Sequence, residues 1–232
     1  MVDPLDGLLA ELGSLPVAAS RPTVTLTYAQ TLDGCIATAE RGTLAISSPA
    51  SQRLTHRLRA QHDALLIGVG TVLADNPRLT VRLVEGPDPR PIVLDTSART
   101  PPGSQLLRGP RSAWIVCAPD APPDRRRRLE AAGARLLETP RAADGRLDLP
   151  QALARLRAEG VQRLMVEGGA DVIASFLRAR TVDAILLTIA ARWESGLPAL
   201  QSSGFQMKLD RPVWLALDPD VIVFGRPGGG GA

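Results

Sequence analysis

Several short runs of this chain are apolar at every position. Ala64-Leu65-Leu66-Ile67-Gly68-Val69 contains no polar residue, and Pro91-Ile92-Val93-Leu94 and Ala113-Trp114-Ile115-Val116-Cys117-Ala118 repeat the pattern. A strand with one wet face alternates in polarity. A strand apolar throughout is covered on both faces, as in a parallel sheet with helices above and below. Residues 163–166 and 182–190 read as further strands, and 23–28, β-branched and alternating, as another. Helical signals lie between them. Ser48-Pro49 supplies a cap and a first-turn proline for a helix running to about Gln61, with Leu54 and Leu58 on one face. Residues 123–132 and 148–159 read as helices ended by Gly133 and Gly160, and 170–179 as another. Strand and helix alternate, which predicts an α/β domain with a mostly parallel central sheet and helices on both faces.

Other segments are less regular. Asn76-Pro77 breaks the chain, and residues 79–83 then alternate in the manner of a strand. Residues 213–217 and 221–224 read as a closing pair of strands, expected to run antiparallel. No repeat or linker divides the chain, so 22–226 are expected to form one domain. Residues 1–21 make a short helical arm at most, and the glycines 228–231 mark 227–232 as a flexible tail.

Composition narrows the function. The 232 residues are 44% hydrophobic and 22% charged, an ordinary globular balance. A net charge of +3 is too small to argue for nucleic acid, and 3% aromatic residues offer no stacking platform. Lys208 is the sole lysine, and the arginine run 125–128 reads as a solvated helix face. No apolar run approaches the ~18 residues of a membrane span. Asp3 and Asp6 stand where a secretory leader would be basic. Cys35 and Cys117 lack a second ligand motif, so they read as reduced core thiols of a cytoplasmic protein. His56 and His62 lie six apart, outside metal-ligand spacing, and no metal is expected.

Two strand-to-helix turns are candidates for chemistry. In Glu167-Gly168-Gly169-Ala170 the glycines allow close approach to the backbone, and the helix that follows offers unpaired N–H groups suited to a pyrophosphate. Glu167 would sit beside that site. Gly68-Val69-Gly70-Thr71-Val72-Leu73 is similar but lacks the third glycine of a Rossmann fingerprint and the GK[ST] of a P-loop. The plain alternative for both is a tight turn with glycines chosen for packing. Arg53, Arg57, Arg59, Arg78 and Arg82 offer guanidinium forks to a phosphorylated substrate, or are surface arginines of an arginine-rich chain.

Taken together these runs resemble a known family. They are Val24 through Asp33-Gly34; Thr55 through Arg59, Asp63, Gly68, Thr71, Asp75, Pro77 and Leu79 to Arg82; Pro91 to Asp95; and Leu164-Met165-Val166-Glu167-Gly168-Gly169-Ala170. In this order they are similar to the riboflavin-pathway pyrimidine reductases, the RibD C-terminal-domain-like and fungal-type enzymes. The resemblance implies a three-layer, dihydrofolate-reductase-like α/β fold. It also implies NADPH as cofactor, a phosphorylated pyrimidine as substrate, and a homodimer in the cytoplasm, without nucleic-acid or membrane partners.

The same resemblance implies site residues. Ala29 lines the nicotinamide; Ala45, Thr71 and Asp75 contact the cofactor; Thr96 lies toward its adenosine. The turn made by Gly168, Gly169, Ala170, Asp171, Val172, Ile173, Ala174 and Ser175 holds the pyrophosphate. Arg99 is our candidate for a 2′-phosphate, because NADP selection calls for a nearby cation. Thr43, Arg59, Leu79 and Arg82 match substrate contacts. Glu167 matches a substrate contact beside the reacting sugar and is the candidate catalytic residue. The chain departs from two-domain bacterial members at Thr27, where they carry lysine, and at Ala45, where they carry tryptophan. It departs again at Ala190-Ala191-Arg192-Trp193, where proline is common. The Thr27-Tyr28-Ala29-Gln30 run is closer to the fungal type, and no zinc deaminase motif is present. The expected substrate is therefore 2,5-diamino-6-ribosylamino-4(3H)-pyrimidinone 5′-phosphate. The deaminated 5-amino-6-(5-phosphoribosylamino)uracil is the alternative; another substrate on the same fold, or a nucleotide-binding module without turnover, are more distant ones.

Overall fold

The computed structural model describes residues 4–40, 42, 44–200 and 206–228. In chain order the elements are α1 (Pro4–Ser14), β1 (Thr23–Thr31), β2 (Cys35–Ala37), α2 (Pro49–Ala60), β3 (Ala64–Gly68), α3 (Val69–Asp75), β4 (Arg90–Leu94) and β5 (Trp114–Cys117). Then follow α4 (Pro123–Ala131), β6 (Arg135–Glu138), α5 (Leu149–Ala158), β7 (Arg163–Glu167), α6 (Ala170–Arg178), β8 (Ala184–Ala190), β9 (Leu197–Pro198), β10 (Leu209–Leu217) and β11 (Asp220–Pro227).

Nine strands of the described residues make one sheet, ordered β10-β11-β8-β1-β7-β3-β4-β5-β6. From β8 to β6 every pairing is parallel; β11 joins β8 antiparallel and β10 joins β11 antiparallel. The apolar runs behave as expected. All five residues of β3 are buried, because successive side chains enter opposite layers. Leu65 and Ile67 face one layer with Leu54 and Leu58 of α2 and Leu129 of α4. Ala64 and Leu66 face the other, with Leu153 and Leu156 of α5 and Ile173 and Phe176 of α6. Burial of each such leucine is worth ~1.5–3 kcal/mol.

The chain leaves β1, builds β3 to β6 outward, and returns to insert β7 between β1 and β3 before adding β8 on the other side of β1. Strand order therefore reverses around β1 and β7, the kind of switch point where open α/β sheets bind ligands beyond their strand tips.

The structure departs from the sequence pattern in three places. Residues 79–83 form no strand. Leu79 takes φ +57° and is buried, so the segment is a held loop in which alternation has no sheet to serve. The N-terminal arm is part of the core: Leu8, Leu9 and Leu12 of α1 are buried, and the Arg163 guanidinium donates to the carbonyls of Leu12, Gly13 and Leu15. Pro227 lies in β11 and the Gly228 N–H bonds the Lys208 carbonyl, so the expected tail begins inside the sheet. The short strands β2, β6 and β9 carry too little pattern to be read from sequence. Cys35 and Cys117 are buried and not bonded to one another, and burial pushes the Cys117 thiol up to about 11.

Candidate active site

A cleft of about 930 Å³ opens at the carboxyl ends of β1, β7 and β3. Thr27, Tyr28 and Ala29 of β1, the β3–α3 turn and the β7–α6 turn form its base; Ile36, Ala37 and Leu197 of the β2–β9 ribbon and Leu44 and Ile46 lie on another side.

The glycines differ in what a side chain there would meet. A Cβ on Gly68 would stand 2.7 Å from Val172 Cγ2, and one on Gly168 would stand 3.0 Å from the Val172 side chain. Both let α6 pack onto the strand tips, so these two glycines serve packing. At Gly70 a Cβ would meet nothing within 4 Å, and at Gly169 it would touch Thr71 Oγ1 at 3.4 Å. All four glycines line the cleft. The caps of α3 and α6 are Gly68 and Gly169, and neither has a side chain to bond the first-turn N–H groups. Two glycine-capped helix starts facing one cleft suit an extended anionic ligand such as a dinucleotide pyrophosphate.

Beside these turns, Arg59 and Glu167 form a two-point fork. Nε donates to Oε1 at 2.7 Å and Nη2 to Oε2 at 2.6 Å. Their side chains are 11% and 20% exposed. Burial disfavours the Arg59 charge, but the Glu167 carboxylate more than offsets this, and the guanidinium is held above its ordinary value. Arg59 Nη1 also donates to the Thr80 carbonyl at 3.0 Å. A bidentate pair inside a partly dry cleft is rigid and directional.

The ribbon side is fixed by Asp33. Its carboxylate accepts from the Thr31 hydroxyl and from the N–H groups of Ser195 at 2.7 Å and Glu194 at 3.2 Å. The Thr31 hydroxyl, then the Ser195 and Glu194 N–H groups, hold it down to about 2. The Gly196 N–H donates to Cys35 Sγ at 3.0 Å.

Of the residues expected at the site, Ala29, Thr71, Asp75, Gly168, Gly169, Ala170, Asp171, Val172, Ala174, Arg59, Leu79 and Glu167 line this one cleft. Ala45, Thr96, Arg99, Ile173, Ser175 and Arg82 are not part of that lining. The Ile173 side chain is fully buried in the core, and Arg99 is exposed on the loop after β4. Arg82 is exposed yet feels the charges of Arg59 and Glu167. Thr43 lies outside the described residues. Sequence reasoning missed Arg146, which lines the cleft and reaches the first turns of α6: Nη1 donates to Ser175 Oγ at 3.2 Å, and Nη2 lies 3.5 Å from Asp171 Oδ1. It stands more than twenty residues before Gly168, so no local motif marks it. His56 is buried and accepts the Arg82 N–H at Nδ1, 3.0 Å away.

Residues 22–223 match the RibD C-terminal domain family. Over 173 residues the chain is 41% identical to a Methanothermobacter thermautotrophicus protein named 2,5-diamino-6-ribosylamino-4(3H)-pyrimidinone 5′-phosphate reductase, covering 73% of this chain and 78% of that one. It is 33% identical over 241 residues to the Eremothecium gossypii protein of the same name, covering 97% and 96%. The solved structure of a Saccharomyces cerevisiae riboflavin biosynthesis reductase superposes with a TM-score of 0.80 at 28% identity, covering 97% of each chain.

Proposed function

Since this chain belongs to the RibD C-terminal domain family, we propose that it reduces 2,5-diamino-6-ribosylamino-4(3H)-pyrimidinone 5′-phosphate to the ribitylamino product with NADPH. The observation that carries the reading is the Arg59–Glu167 fork set beside two glycine-capped helix starts in one cleft.

The residues present fit a dinucleotide. Gly70 leaves open space, Gly168 and Gly169 bring the start of α6 to the cleft, and Thr71 and Asp75 line the adjoining wall. Ala29, small and half-buried on β1, leaves room for a flat ring. When bound, the reduced nicotinamide supplies the hydride. The protein's share is positioning, which holds reacting atoms ~3–3.5 Å apart and lowers the barrier by removing the entropy of encounter.

Glu167 is the candidate catalytic residue. Both its oxygens already accept from Arg59, and each keeps a lone pair for another donor. Such a carboxylate is suited to steadying positive charge at the opened, imine-bearing sugar and to accepting its hydroxyl protons. Arg59, Leu79 and Arg82 are the candidate substrate contacts. Arg146, which lines the cleft and reaches α6 from the loop before α5, is the candidate cation for a cofactor phosphate. A homodimer and a cytoplasmic setting complete the reading. The exposed Val213 and Trp214 of edge strand β10 support the first, and two free, buried thiols the second.

The test is an assay of NADPH oxidation with the diamino pyrimidine and the deaminated aminouracil in parallel. Faster turnover of the diamino compound is expected. Preference for the aminouracil would reassign the substrate, and turnover of neither would remove the proposal.

A further inference from the structure

Residues 79–82 belong to no strand, yet their backbone is gripped at three successive positions by side chains from elsewhere. Arg59 Nη1 donates to the Thr80 carbonyl at 3.0 Å, the Val81 N–H donates to Asp88 Oδ1 at 2.6 Å, and the Arg82 N–H donates to His56 Nδ1 at 3.0 Å. Just before them Leu79 holds φ +57° while 2% exposed. A branched side chain in that region is strained, and persists where its surroundings leave it no alternative.

The role of His56 follows from its bond. To accept at Nδ1 the ring must be neutral, with its proton on Nε2. His56 is 4% exposed. Burial, then the charges of Arg59 and Arg82, push it down to about 4, against weaker opposing pulls from Glu167 and Asp88. His56 also sits three residues before Arg59, on the same side of α2, so one helix face delivers both grips.

We infer that His56 is a positioning residue for substrate binding: it clasps the Arg82 backbone and so presents the Arg82 guanidinium beside the Arg59–Glu167 fork. The inference rests on the reading of Arg82 as a substrate contact. The Arg82 side chain is exposed, and a fixed backbone lowers the ordering cost of meeting an anionic group. The clasp lies on the substrate side of the fork and touches none of the glycine turns. It should therefore act on substrate affinity and spare cofactor affinity.

The experiment uses three His56 variants and one at Arg82. In Asn, Oδ1 hangs on Cγ as Nδ1 does in His, so His56→Asn keeps the acceptor in place. His56→Gln moves it one bond further out, and His56→Leu removes it. In His56→Leu and His56→Gln the Arg82 amide should exchange its hydrogen faster. KM for the pyrimidine phosphate should rise roughly tenfold, the size of one lost hydrogen bond to a buried group. The Kd for NADPH should stay within about twofold, as expected of a group outside the cofactor turns. His56→Asn should restore both readouts. An Arg82 amide that exchanges slowly in His56→Leu and His56→Gln overturns the clasp, whatever the kinetics do. Equal losses of substrate and cofactor affinity overturn it as well, because they report general disruption. Arg82→Gln isolates the underlying reading. If KM is unmoved there while the His56 variants speed amide exchange, the substrate role of Arg82 fails and the proposed function of the clasp fails with it.

Discussion

Arg59 and Glu167, 108 residues apart in sequence, meet at the tip of β7 in a two-point contact of 2.7 and 2.6 Å. The pair joins the helix that carries the candidate substrate contact to the strand that carries the candidate catalytic carboxylate. Removing one partner leaves the other charge partly buried and uncompensated, a costly state in a low-dielectric cleft.

Glu167→Gln keeps shape and removes charge. We expect turnover to fall by at least 100-fold, the loss associated with one well-placed charged group in a transition state. NADPH affinity should change by less than about threefold, since the cofactor turns are intact. Stopped-flow kinetics and fluorescence titration read the two separately. Parallel loss of both would contradict the assigned role.

Gly68 and Gly70 are two residues apart and should respond in opposite ways. Gly68→Ala drives a methyl to 2.7 Å from Val172 Cγ2 and should cost ~1–3 kcal/mol, with part recovered by Val172→Ala. Gly70→Ala meets nothing and lies in α3, so it should gain about 0.5–1 kcal/mol of stability. That methyl projects into the cleft region, so NADPH affinity should fall even as the melting temperature rises. Thermal unfolding with and without cofactor checks both.

Arg146→Ala should raise the Kd for NADPH about tenfold, the worth of a charge-assisted hydrogen bond to phosphate. Arg99→Ala should leave it unchanged, because Arg99 is exposed and outside the cleft lining. Titration with NADPH and NADH distinguishes the phosphate involved. Loss with both points to the pyrophosphate, and loss with NADPH alone to the 2′-phosphate. The reverse ranking of the two arginines would restore the sequence-based choice.

Asp33 carries a pH prediction. Its folded value of about 2 lies below the ordinary 3.8, so the folded state favours the carboxylate. The stability this confers is complete above about pH 4 and is lost as pH falls through about 2, below which both states are protonated. Asp33→Asn should flatten that part of the acid-unfolding curve and loosen the β2–β9 ribbon. Unfolding midpoints across pH 2–5 test it. A slope unchanged by the substitution would show that Asp33 does not supply it.

The class of fold is written in the local residue pattern. Strands such as 64–68 and 114–117 are apolar at every residue, and a backbone whose side chains alternate between faces satisfies that only with cover on both sides. Proline, serine and glycine signals located α2, α4 and α5 because caps and breakers act within a few residues. The glycine turns were legible as candidate ligand sites for the same reason.

How separate segments meet depends instead on long-range packing. Gly68 and Gly168 proved to be required by Val172, a contact between a strand tip and a helix from another part of the chain. Residues 79–82 alternate like a strand but are held as a loop by Arg59, Asp88 and His56. Arg146 reaches α6 from a loop with no motif of its own, while Arg99, nearer the expected pattern, stays outside the cleft. Local sequence encodes backbone preference and burial over a few residues. The partner of a charge or a methyl group is set by sheet order, and sheet order is a property of the whole chain.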